Sequence, residues 1–173
     1  MQVSTYPKPK SNWYLVYTIP NSEKKADLKL KQLGISSFLP LHTVVRQWSD
    51  RKKKLEVPLF PSYIFVNMSP SKRFDILQIK ELMHFVSFGG ELATVPEDVI
   101  ESLRRILDCD TEIITEKFYQ QGMKVKIMHG QLSGTEGVLV RKNGRDRLVL
   151  QIDALRQAIS IEVPASQVEC CVA

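Results

Sequence analysis

Three histidines and three cysteines are the first places to look for chemistry, and neither set forms a reactive constellation. His42, His84 and His129 are scattered, with no carboxylate pair beside them at metal-ligand spacing. His129 precedes Gly130 and reads as a turn residue. Cys109 has no histidine partner at a spacing that would make it a nucleophile. The adjacent Cys170 and Cys171 complete a set too small and too poorly spaced for a disulfide framework or a zinc site. They read as reduced thiols of a soluble, cytoplasmic protein. Gly89-Gly90 lacks the lysine and Ser/Thr of a phosphate loop. No catalysis, metal or cofactor is expected. What remains is binding chemistry. Arg51-Lys52-Lys53-Lys54, with Arg46 near by, is either a solvated loop or a phosphate-attracting patch that would be salt-dependent and poorly sequence-specific.

The distribution of charge supports that division of labour. Of 173 residues, those up to residue 108 include 16 basic and 11 acidic ones, and those beyond it include 8 of each. The whole net charge of +5 therefore belongs to the N-terminal part. A basic unit joined to a neutral one predicts two domains with different partners. At 43% hydrophobic and 25% charged the chain is that of a folded protein, which excludes general disorder. No run approaches the roughly 18 apolar residues that span a bilayer, and residues 1–12 have no apolar signal core. They read as a polar leader.

Which elements would position these residues? Trp13–Ile19 is aromatic and β-branched, a strand ended by Pro20. Asn21 or Ser22 caps a helix whose apolar stripe is Ala26, Leu30 and Leu33, with Gly34 at its end. Ser37–Leu41 is a short apolar segment. Thr43–Trp48 and the apolar Val57–Asn67 then read as a hairpin with Asp50–Lys54 as its charged turn. Ser69-Pro70 opens a second helix with Phe74, Leu77 and Ile76 as its buried face. His84–Phe88 is a strand turned by Gly89-Gly90. Pro96-Glu97-Asp98 begins a third helix, with Val99, Ile100, Leu103, Ile106 and Leu107 at helical period. This order predicts an α+β unit, a mainly antiparallel sheet with helices packed on it, over residues 11–108.

Residues 109–121 lose periodicity and are expected to be a linker. Beyond them, Lys124–Met128, Thr135–Lys142, Asp146–Ile152 and Ala158–Val163 are short strands punctuated by Gly122, Gly130, Gly134, Gly137 and Gly144. That pattern predicts a small all-β barrel over 122–173. Gly137 would let its strand bend or approach a neighbour closely.

The stretch Gly122–Val140 (GMKVKIMHGQLSGTEGVLV) resembles a KOW motif, the core of an SH3-like barrel. In the N-terminal part, WYLVY at 13–17, Gly34-Ile35, PLFPSYIFV at 58–66, HFVSFGG at 84–90 and VPEDVI at 95–100 follow one another in the order of the NusG N-terminal domain. The resemblance covers nearly the whole chain. PLFPSYIFV and HFVSFGG look most like the specialised RfaH and UpxY type of antiterminator.

The resemblance implies a monomeric transcription elongation and antitermination factor that docks on the RNA polymerase clamp and reduces pausing or termination, on specific operons. The positions matching the family's clamp-binding depression are Tyr17, Phe60, Tyr63 and Phe85, with Phe88 near by. Each aromatic could equally be core, and Phe60, flanked by Pro58 and Pro61, is the one expected to be exposed. In such a factor the basic residues Arg46 and Arg51 to Lys54 would follow upstream or non-template DNA. Lys24 and Lys25 lie close to where specialised relatives read a DNA hairpin, although Ile19 and Pro20 stand where RfaH is basic. Lys72, Arg73 and Phe74 lie near the place of an RfaH loop motif that is missing here. In the C-terminal unit the matching partner positions are Leu132, Ile152 and Leu155, toward Rho or a small-subunit ribosomal protein. RfaH-like C-terminal domains can fold as a helical hairpin. Five glycines at about 1 kcal/mol each in a helix interior predict a permanent barrel instead. The reading of a different class is a ribosome-associated or RNA-binding protein that uses the barrel and the basic hairpin.

Overall fold

The computed structural model describes residues 11–48, 51–109, 113–117, 123–142, 145–164 and 167–170. Most of the expected leader, and the glycines Gly122 and Gly144, lie outside them, as does Cys171. Strand β1 (Asn12–Thr18) is followed by α1 (Glu23–Gln32), β2 (Ser36–Phe38), β3 (Leu41–Gln47), β4 (Lys52–Pro58) and β5 (Tyr63–Met68). A 3-10 turn, Pro70–Lys72, leads into α2 (Arg73–Ile76). Then come β6 (Leu82–Phe85), β7 (Ser87–Phe88), β8 (Glu91–Leu92), β9 (Thr94–Val95) and α3 (Glu97–Asp108). The rest is strand: β10 (Ile114–Lys117), β11 (Met123–Ile127), β12 (Glu136–Lys142), β13 (Arg145–Ile152), β14 (Gln157–Glu162) and β15 (Val168–Cys170).

The N-terminal sheet runs β2-β5-β1-β6, with β9 also on β1, and every pair in it is antiparallel. Period-two alternation gives β1 two buried faces. Tyr14 and Val16 face one apolar cluster with Ala26 and Leu30 of α1. Trp13 and Leu15 face the other with Ile100, Leu103 and Ile106 of α3. The Trp13 indole Nε1–H donates to Glu97 Oε2 at 2.7 Å, so the first turn of α3 is tied to β1. The cluster on the α3 side continues without interruption to Val125, Ile127, Leu148 and Leu150 of the C-terminal sheet.

That second sheet is ordered β10-β14-β13-β12-β11-β15, again antiparallel throughout. The expected all-β C-terminal part is therefore present. Gly137 is forced by packing: a Cβ there would lie 2.6 Å from the Val149 carbonyl oxygen. Gly34 is needed for its backbone, since the chain leaves α1 at φ +70.

Four local expectations are corrected. Leu33 is 63% exposed, because α1 has ended by then and Ile35, after the Gly34 turn, packs in its stead. Phe74 is 70% exposed, because α2 makes a single turn and it is Ile76 and the following Leu77 that pack inward. Lys52 to Lys54 are not a turn but the first half of β4, paired with β3. Ile114–Lys117, expected within the linker, is a strand that pairs with β14.

Candidate functional site

Tyr17 is the residue around which the aromatic edge of the N-terminal sheet is built. Its cross-strand neighbours are Tyr63 on β5 and His84 on β6. The Tyr17 ring meets Tyr63 edge-on and stacks on His84, with centroids 5.2 Å apart in each case. Tyr17 shares the face of Trp13 and Leu15 but lies past them, so it is half-buried where they are core. The result is an amphipathic aromatic surface of the kind that anchors protein contacts.

The turn before Tyr63 explains the correction at Phe60. Rather than projecting, Phe60 is 1% exposed and packs edge-on to Phe65. The turn is folded inward by three bonds. Leu59 N–H donates to the Pro40 carbonyl, Ser62 N–H donates to the buried Glu23 Oε1 at 2.8 Å, and Thr18 N–H donates to the Ser62 carbonyl. Two flanking prolines signalled an interrupted strand but not the direction in which the interruption folds. Phe85 is also buried, because it pairs with Val16 and so faces the α1 cluster against Tyr14. Phe88 is exposed on the β7–β8 hairpin, with the Arg156 guanidinium 5.5 Å from its ring centroid. Of the five aromatics, Tyr17 and Tyr63 are brought together, and Phe88 stands on a separate hairpin. Sequence reasoning missed His84 as their partner, because only the β1–β6 register shows it stacking.

Five of the nine basic candidates gather on the β3–β4 hairpin. Arg46 and Lys53 are cross-strand partners on β3 and β4, as are Gln47 and Lys52, and Val45 and Lys54. Arg46, Arg51, Lys52, Lys53 and Lys54 are all exposed. Lys24 is drawn to the same element, its Nζ donating to the Glu56 carbonyl at 2.9 Å. Lys25 is exposed on α1 beside it in sequence. Lys72 and Arg73 lie on the turn and first residue of α2, with the Arg73 guanidinium over the Phe74 ring.

Two of the three C-terminal candidates are interior. Ile152 closes β13 at 1% exposure, and Leu132 is buried in the turn after β11. Their apolar character, which matched a contact surface, is used for packing. Leu155 is half-buried in the turn that ends at Arg156, which adopts φ 50. Among the described residues no group of three His, Cys, Asp or Glu could hold a metal ion. Burial, and secondarily Asp108, push the Cys109 thiol up, the opposite of what a thiolate nucleophile needs.

The family model of transcription termination factor NusG matches residues 11–104, more than half of the chain and the whole of the sheet that carries Tyr17. The chain belongs to the NusG family. It is 25% identical over 175 residues to the transcription termination/antitermination protein NusG of Lactococcus lactis, covering 91% of each chain. It is 24% identical to the NusG protein of Pseudomonas aeruginosa, covering 91% of this chain and 97% of that one. A solved structure of Thermotoga maritima NusG, described by its domain interaction, covers 94% of this chain and 98% of its own at 22% identity and a TM-score of 0.49. The NusG family is one of transcription termination and antitermination factors. Among the described residues no helix is long and apolar enough to cross a membrane.

Proposed function

We propose that this NusG-family chain acts in the cytoplasm as a monomer, docking on the RNA polymerase clamp and reducing pausing or termination on specific operons. The observation that carries the reading is the cluster of half-buried Tyr17 and Tyr63 with the exposed His84, set within the segment that the family shares. A helix tip entering there would find rigid aromatic faces with polar edges, the chemistry of an interface hot spot. The exposed β3–β4 cations Arg46, Arg51, Lys52, Lys53 and Lys54 contact upstream or non-template DNA by charge, with Lys24, Lys25, Lys72 and Arg73 as further phosphate contacts. Of the C-terminal positions, Leu155 is the one retained for contact with Rho or a small-subunit ribosomal protein.

The test is co-purification with RNA polymerase, comparing the wild type with Tyr17→Ala and Tyr63→Ala proteins whose circular dichroism is unchanged. Each substitution is expected to cost about tenfold or more in affinity. Full affinity in both variants would remove the cluster from the contact. Single-round transcription on the native operon leader and on an unrelated template then separates operon-specific action from a general factor. Absence of polymerase binding, together with RNA affinity that survives high salt, would favour an RNA-binding protein instead.

A further inference from the structure

The hairpin β3–β4 ends in an arrangement that charge alone does not explain. Trp48 immediately follows β3 and is 49% exposed, whereas the other tryptophan of the chain, Trp13, is 5% exposed. Its backbone is held, since Trp48 N–H donates to the Arg51 carbonyl at 2.9 Å. The Lys53 Nζ sits 4.9 Å from the centre of the indole ring. Alternation places Arg46, its cross-strand partner Lys53, and Trp48 on one face of the hairpin, above the half-buried Val44 and Leu55. Lys52 and Lys54 occupy the other face with Gln47 and Val45. Glu56, near the root beside Lys24, is the one carboxylate on the described strands of the hairpin.

Clustered cations ask for a polyanion, and duplex or single-stranded nucleic acid would serve equally. An exposed indole, capped on one side by a cation, asks for a planar π partner on the other. A duplex conceals its base faces in the stack, whereas an unpaired strand offers bases and phosphates together. We infer that the hairpin binds single-stranded nucleic acid, with an unpaired base stacked on Trp48 and the flanking phosphates held by Arg46 and Lys53. This rests on the nucleic-acid role of the hairpin proposed above and narrows it from any polyanion to an unpaired strand.

The experiment titrates the full-length protein against fluorescently labelled 12-nucleotide oligo-dT, 12-nucleotide oligo-U and a 12-base-pair DNA duplex, at low and moderate salt. Trp48→Ala is expected to lower affinity for a single strand about tenfold and to leave duplex affinity within about twofold, with Trp48→Phe recovering most of the loss. The DNA and RNA strands show which source of unpaired bases is preferred. A Lys52→Gln/Lys54→Gln protein is expected to lose affinity for single strand and duplex alike and to bind with a shallower salt dependence. If the lysine variant weakens binding but Trp48→Ala does not, or if Trp48→Ala weakens duplex equally, stacking is overturned and the charge contact stands. If neither variant changes any affinity, the nucleic-acid role of the hairpin falls with it.

Discussion

Two hairpins of this chain are built from the same backbone unit and put to opposite uses. In β12–β13, partners run from Val138 opposite Val149 to Lys142 opposite Arg145, and a further strand is paired on each outer side. In β3–β4, partners run from Leu41 opposite Pro58 to Gln47 opposite Lys52, and the pair forms a two-stranded sheet of its own. The first hairpin supplies Leu148, Val149, Leu150 and Ile152 to the core, and the second has no fully buried residue. An isolated two-stranded hairpin is marginal in water. This one is therefore held by its root, through the Leu59–Pro40 backbone bond and the Lys24 bond to Glu56. Stability and binding chemistry are thus separated, and the surface free of packing duties is the one that carries charge and an exposed indole.

The separation predicts its largest contrast in folding energy. Gly137→Ala places a methyl group 2.6 Å from a backbone oxygen of β13, which can yield only by moving the strand. It should cost about 2–3 kcal/mol in urea unfolding. Lys54→Gln, on an exposed position of the other hairpin, should shift stability by about 0.5 kcal/mol or less. Comparable losses in the two variants would show that the β3–β4 hairpin is part of the cooperative core, and that stability and binding chemistry are not separated.

A second contrast concerns carboxylates. Glu23 is buried at the start of α1 and accepts the Ser62 N–H, fixing a turn in which Ser62 takes φ 66. Glu23→Ala strands that N–H in the interior and should cost about 2 kcal/mol, measured again by urea unfolding. Because the turn sets the position of Tyr63, the polymerase contact proposed for that residue should weaken as well. Glu56 is an exposed carboxylate on β4, and Glu56→Ala should stay near the wild type in unfolding. A neutral Glu23→Ala would mean that the turn is set by packing of Phe60 rather than by its hydrogen bond.

How much of this could be read beforehand depended on whether a local pattern decided the outcome. The spacing from Val99 to Leu107 marks α3 because a helix of twelve residues must bury one stripe. The alternation in β11 to β14 and the glycines between them mark the C-terminal sheet for the same reason. Where a long-range contact decides, the pattern misleads. Phe60 between two prolines is interior only because Glu23 and Pro40 pull its turn inward. Ile114–Lys117 becomes a strand because β14 has a free edge for it, which its own mixed residues do not announce. At the candidate site, Tyr17 and Tyr63 were legible as aromatic types. His84 was not, because its role depends on the β1–β6 register, which shifts between Tyr17 and Thr18.

The smallest effect should appear where α1 meets the strand beside that shift. The Lys29 Nζ donates to both carboxylate oxygens of Glu81 at 2.7 Å, and the Glu81 carbonyl accepts Ile19 N–H at the end of β1. The Lys29 hydrogen bonds hold the Glu81 carboxyl below the usual carboxylate range, against a smaller opposing effect of burial. A carboxylate whose folded pKa is depressed stabilises the protein above its unfolded pKa, and that contribution is lost as pH falls through the folded value. Glu81→Gln keeps the shape and removes the titration. Melting temperatures of the two proteins should therefore differ at neutral pH and converge as the solution is acidified through the carboxylate range. Curves that stay parallel to low pH would show that the pair stabilises no more in the folded chain than its separated charges do in water. The half-exposed Lys29 would then belong with the solvated lysines of β4 rather than with the packed interior beside it.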